Sequence, residues 1–250
     1  MLEITEDTVL NSRTDVKKGT MDRLKSKFLG SLVGTAVGDS LGAGDGIYTD
    51  DTAMMIAPIG LFYYDNPKKL RKIACQSSKI THTHVLAIEG ALLQAYAVAL
   101  ATNAKPGKLD NYGFLGRLGG CIEANIYREK LKFMEALLKE AANQSKVIVE
   151  LGNTVESFNS VPISVYSFLA NSDFQNTLNY ALSLGGDRDT ITAMTGAIAG
   201  AHYGIENIPK EWTDSLENRD YIEDLAEKLW QIKKGKMINE SNGSQEDCTG

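Results

Sequence analysis

Between about residue 23 and residue 235 the apolar positions recur at intervals of three and four, the period of amphipathic helices. The stretch DRLKSKFLGSLVGTAVGDSLG sets Phe28, Leu32 and Thr35 at helical spacing. VLAIEGALLQAYAVALA repeats its apolar residues in the same way, and KLKFMEALLKEAA keeps Lys and Glu on an outer face. SVPISVYSFLANS predicts a further helix, with Ser160 as its N-cap and Pro162 in its first turn. Strand signals are few. KVIVEL (146–151) is the best of them, and it reads equally well as the opening of a helix. The turn-rich TNAKPGKLDNYG (102–113) breaks the pattern without the look of a domain linker. The expectation is one all-α domain over 23–235. The polar, aperiodic residues 1–22 are expected to form a flexible tail, and 236–250 a disordered one.

Two of the predicted helices echo each other. Gly30, Gly34 and Gly38 recur every four residues, and so do Gly196, Gly200 and Gly204. Each glycine inside a helix costs roughly 1 kcal/mol relative to alanine, so something must offset the stripe. Close approach of two helix backbones is the usual reason. The two helices are therefore expected to be central and adjacent. Aspartates adjoin both stripes: Asp39 follows the first, and Asp187 and Asp189 precede the second.

Those aspartates carry the candidate chemistry. YTDDTA holds Thr49, Asp50, Asp51 and Thr52, and GGDRDT holds Asp187, Asp189 and Thr190. If the two segments meet, several carboxylates share a small volume. Like charges about 4 Å apart repel by roughly 4 kcal/mol at an effective dielectric of about 20. Hard divalent cations with oxygen ligands relieve this, which points to Mg²⁺, Mn²⁺ or Ca²⁺, and a pair of ions suits this many ligands. Taken singly, either cluster is more simply a helix cap. An EF-hand is excluded, because the twelfth position counted from Asp187 is Ile198 rather than glutamate. There is no P-loop and no GxGxxG, and GAGDG (42–46) reads as a turn. His82 and His84 in THTH have no cysteine nearby, so they read as a polar contact to a ligand or as surface residues rather than as a zinc site.

Composition narrows the classes. The 250 residues carry a net charge of −6, which disfavours nucleic acid as a partner. The basic runs PKKLRK (67–72) and KKGK (233–236) read as solvated faces. No stretch approaches the roughly 20 apolar residues of a membrane helix, and the acidic start MLEITEDTVL lacks the apolar segment of a signal peptide. The three cysteines are scattered and form no CxxC. An intracellular protein of the cytoplasm, the nucleus or both is expected, monomeric and free of membranes.

The segments FLGSLVGTAVGDSLG, YTDDTAM, ITHTHVLAIEGALLQAYAVAL, ELGNTVESFNSVPISVYSFL and LGGDRDTITAMTGAIAGAHYGIENIPKEW, in that order, resemble the ADP-ribosylglycohydrolases over residues 24–230. LGN, SVP and GGDRDTI look most like the subgroup that removes ADP-ribose from serine and hydrolyses O-acetyl-ADP-ribose and poly(ADP-ribose). Jellyfish J1-crystallins are similar too, which adds a non-enzymatic storage role as an alternative. The resemblance implies an all-α hydrolase with two Mg²⁺ ions (or Mn²⁺) and an ADP-ribose-containing substrate. It implies metal ligation by Thr49, Asp50, Asp51, Asp187, Asp189 and Thr190, and substrate contacts from His82, Val155 and Asp50.

The chain also departs from that pattern. In the subgroup a catalytic glutamate follows the GDSLG-like motif, whereas GDSLGAGDGIYTDDT contains none. Asp45 is the only acid nearby, so the catalytic candidates are Asp45, Asp50 and Asp51. The family's glycine-rich GNGxAMR loop is missing as well, since TDDTAMMIAPIGL runs two separate family motifs together. Internal deletions of this kind predict turnover far below that of an intact relative: positioned proton transfer alone is typically worth about 10²–10⁴ in rate.

Overall fold

The computed structural model describes residues 6–43, 52–81, 84–105 and 109–246. All regular structure among them is helical, as the spacing predicts. Helices α1 (Glu6–Ala43) and α10 (Arg188–Tyr203) form the centre. Around them stand α2 (Thr52–Phe62), α4 (Val85–Asn103), α8 (Ser157–Leu169), α9 (Phe174–Ser183) and α12 (Arg219–Glu246). The outer helices are α3 (Pro67–Thr81), α5 (Asn111–Cys121), α6 (Asn125–Lys139), α7 (Gln144–Leu151) and the short α11 (Lys210–Asp214).

The glycine stripes are the reason α1 and α10 touch. A Cβ on Gly30 would lie 2.6 Å from the Gly200 carbonyl oxygen, and one on Gly34 or Gly38 would strike the carbonyls of Gly196 or Thr192. The register pairs 30 with 200, 34 with 196 and 38 with 192, so the helices run antiparallel, backbone against backbone. Ser31 reinforces the contact by donating to the Ala197 carbonyl at 2.9 Å. Gly204 stands outside α10 as its C-cap, with φ +85°. The expected central, adjacent pair is present.

Several local expectations differ. KVIVEL lies in α7, opened by Asn143, whose side chain accepts from the Lys146 N–H. Ser160 is not an N-cap: Glu156 takes that position in α8, and Ser160 is buried a turn further on. The helical backbone extends back to Glu6 and forward to Glu246, into both stretches read as tails. Propagating an existing helix costs far less than nucleating one. Packing anchors the inner parts of these extensions. Met21 packs against the core, the Lys236 ammonium lies over the Phe62 ring, and the Tyr64 hydroxyl meets Met237. Lys233 departs from the reading of KKGK as a solvated face, while Gly235 and Lys236 are exposed. Lys233 is buried and bonds both Asp65 carboxylate oxygens, at 2.6 and 2.7 Å.

Among the described residues α4 is long and apolar enough to cross a membrane, contrary to the expectation that no stretch is. Two-thirds of that span is buried inside this domain, against α2, α3, α8 and α10. Its apolar surface all round is that of a core helix.

Candidate functional site

The site begins with a hinge. Gly185 and Gly186 hold φ of +65° and +70°, a region closed to most side chains. A Cβ on Gly186 would collide with the Asn153 carbonyl oxygen. That close approach lets Asn153 grip the hinge twice. Its carbonyl accepts from the Asp187 N–H at 2.9 Å, and its side chain donates to the Leu184 carbonyl at 2.8 Å. The LGN and GGD motifs are thus two halves of one clamp.

The clamp is braced from α6. Lys130 donates to the Leu151 carbonyl and, at 2.6 Å, to Asn159 Oδ1. Asn159 in turn donates to Thr154 at 2.8 Å. Burial lowers the Lys130 pKa. The hydrogen bond from Thr154 holds the Glu156 carboxyl below the usual range.

Asp187 stands at the N-cap of α10, yet its carboxylate makes no capping hydrogen bond. Gly42, near the end of α1, brings that helix against the same turn: a Cβ there would lie 2.6 Å from the Asp189 nitrogen. Asp187, Asp189 and Thr190 together line the rim of a cavity of about 610 Å³.

The rest of the cavity is divided between two faces. From α4 and its N-cap come His84, Ala87, Ala91 and Gln94, spaced three, four and three apart and so on one side of the helix. The other lining residues include Val155 and Glu156, just before α8, Ser157, Phe158 and Val161 at its start, and Met194 of α10. Tyr127 ties the two faces together. Its hydroxyl donates to the Leu86 carbonyl at 2.8 Å and lies 3.0 Å from the Ser157 hydroxyl. Burial pushes the Tyr127 pKa up to about 12, so the hydroxyl keeps its proton.

His84 caps α4, its Nδ1 accepting from the Leu86 N–H at 3.2 Å. In the neutral ring the proton then sits on Nε2. Sequence reasoning preferred His82, which lies outside the described residues together with Asp45, Thr49, Asp50 and Asp51. His84 is one of the two histidines read as a ligand contact or a surface residue, and it lines the cavity, whereas Gln94, Glu156 and Ser157 have no signal in the sequence reading. The i, i+3, i+7, i+10 stripe on α4 was legible, but which face it shows to a cavity depends on its neighbours. Val155 lines the cavity mouth and is 75% exposed.

The oxygen set suits a hard cation. Two carboxylates and a hydroxyl on one rim are donors of the kind Mg²⁺ takes. Among the described residues no three His, Cys, Asp or Glu form a metal cage by themselves. The described half of the expected ligand set is convergent, and the other half is Thr49, Asp50 and Asp51.

A helical domain with an oxygen-rimmed cavity at the end of two glycine-striped helices defines the class of protein. The ADP-ribosylglycohydrolase family model matches residues 43–238. The chain belongs to the ADP-ribosylglycohydrolase family. It is 35% identical over 219 residues to ADP-ribosylhydrolase ARH3 of Homo sapiens, covering 76% of this chain and 59% of that protein. An uncharacterized protein of Archaeoglobus fulgidus is also 35% identical, over 191 residues, with 75% and 60% covered. The chain thus spans about three-fifths of the length of these relatives. Among solved structures, a chain of an ADP-ribosylglycohydrolase-related protein complex shares the fold. Its TM-score is 0.67 at 21% identity, with 85% of this chain and 99% of that chain covered.

Proposed function

We propose that this chain is a Mg²⁺-dependent glycosidic-bond hydrolase. Its proposed substrates are ADP-ribose linkages: ADP-ribosylated serine in proteins, O-acetyl-ADP-ribose or poly(ADP-ribose). The observation that carries the reading is that Asp187, Asp189 and Thr190 line one cavity. Family membership supports the linkage class.

Asp187, Asp189 and Thr190 would hold the metal, together with Thr49, Asp50 and Asp51. Mg²⁺ bound there supplies positive charge that orients ribose hydroxyls and stabilises charge developing at the scissile bond. The chain's own residues do the remainder. The Asn153 clamp fixes the rim, Ala87 and Ala91 leave a smooth wall for a bulky guest, and His84 presents a donor at the mouth.

A second reading has one specific observation behind it: no glutamate follows GDSLG. On that reading the fold binds ADP-ribose without turning over. A single assay separates the two. ADP-ribose release from a serine-modified peptide is followed with Mg²⁺ and with EDTA, beside calorimetry with ADP-ribose. Metal-dependent release supports the hydrolase, and binding without release supports the second reading. Neither binding nor release defeats both.

A further inference from the structure

Among the described residues, the buried polar side chains around the cavity are, with one exception, satisfied. The Ser164 hydroxyl shares its one proton between the Ser160 carbonyl at 2.7 Å and the Ile191 carbonyl at 3.0 Å, and Thr195 donates to the Ile191 carbonyl. The exception is Gln94. It is 1% exposed, it lines the cavity, and its Oε1 has no hydrogen-bond partner. The amide orientation is fixed. Nε2 donates to the Met194 carbonyl at 3.0 Å, and a carbonyl can only accept. The acceptor end is the end left over. Met194 is five residues along α10 from Asp189, about 7.5 Å deeper than the acidic rim at the helical rise.

A long polar side chain is an expensive choice at this position. The neighbours on the same stripe, Ala87 and Ala91, are small and apolar, and an unpaired buried acceptor keeps its full desolvation cost. A guest that brings a hydrogen-bond donor to the cavity floor removes that cost.

We infer that Gln94 is a specificity-determining residue, whose Oε1 accepts from an N–H or O–H of the guest beneath the Asp187–Asp189–Thr190 rim. The inference rests on the ADP-ribose reading above and deepens it. A sugar hydroxyl and the exocyclic amine of the base are the two sources of such a donor. A site that holds a buried acceptor rejects a guest lacking the donor, because the acceptor then stays unpaired.

The test is calorimetric. Wild-type chain and Gln94→Met, which matches the length and removes the acceptor, are titrated with ADP-ribose. Two analogues are titrated alongside, one lacking a ribose hydroxyl and one dimethylated on the adenine amine. Gln94→Met should bind ADP-ribose roughly tenfold more weakly, while its ligand-free melting midpoint stays at or above that of the wild type. In the wild type, one of the two analogues should lose a similar factor and so identify the donor. In Gln94→Met that analogue should lose nothing further. The wild-type arm needs no folded variant. Unchanged affinity in a folded Gln94→Met, or a wild-type chain indifferent to both analogues, overturns this inference alone. A wild-type chain that does not bind ADP-ribose overturns the functional reading and this inference with it.

Discussion

Replacing Gly30 by alanine tests whether the contact between α1 and α10 organises the fold. The new Cβ would meet the Gly200 oxygen and Gly204 carbon at 2.6 Å and the Ile205 nitrogen at 2.7 Å. All three are backbone atoms, so no side chain can rotate out of the way. Ordinary contact begins at 3.4 Å, so the helices must separate locally by 0.8 Å. Gaps of that size forfeit about a quarter to a half of the dispersion attraction of the atoms involved. Overpacking a core by one methyl typically costs about 1–3 kcal/mol, and backbone on every side argues for the upper end. Alanine returns roughly 1 kcal/mol of helix propensity. The net is a loss of about 2 kcal/mol, which for a chain of this size lowers the melting midpoint by roughly 4–8 °C. The control is Gly235→Ala in α12, where nothing lies within 4 Å. There the propensity gain stands alone, and the midpoint should rise by a few degrees at most. Circular dichroism melts of both variants decide the matter. A Gly30→Ala midpoint that rises as the control does would refute the packing argument.

Gly186→Ala, which combines a φ of +70° with a collision against Asn153, should displace Asp187 and weaken any Mg²⁺-induced thermal shift by roughly tenfold in apparent affinity, with helix content retained. Mg²⁺ at a hundredfold excess over its Kd should stabilise the wild type by about 2.7 kcal/mol, and Asp187→Asn with Asp189→Asn should abolish this; an equal shift in the double variant would count against the rim as a metal site. His202 is 6% exposed, and burial, with Lys27 beside it, lowers its pKa from 6.5 to about 4. The unfolded chain therefore takes up this proton first, so stability should fall as the pH drops from about 6.5 to about 4, by up to roughly 3 kcal/mol, and His202→Gln should flatten that slope in pH-dependent denaturant melts. Turnover should be far below that of a version carrying the missing loop, and loss of the residual rate in Asp45→Ala would identify Asp45 as the substitute acid; equal turnover in the two lengths would show the loop to be dispensable.

The local pattern of the sequence determined the helices and the central pair. Period-three-and-four spacing survives in any surroundings, and a glycine every fourth residue has few uses besides close backbone contact. It also marked Asp187, Asp189 and Thr190, because three oxygens after two glycines are conspicuous along the chain itself. Ser160 shows the limit. Read locally it is a cap before a proline, but Glu156 opens the helix and Ser160 lies on the cavity wall. KKGK reads as a charged surface, and only the fold brings Phe62, at the end of α2, and Tyr64 and Asp65, in the turn after it, across to cover Lys233. Gln94 sits in an apolar run that reads as core, and it is core; what tertiary structure added is the Met194 carbonyl that holds its nitrogen and the cavity beside its oxygen. Hydrogen-bond satisfaction is a property of atoms that are distant in the chain and near in space, so no spacing along the sequence reports it.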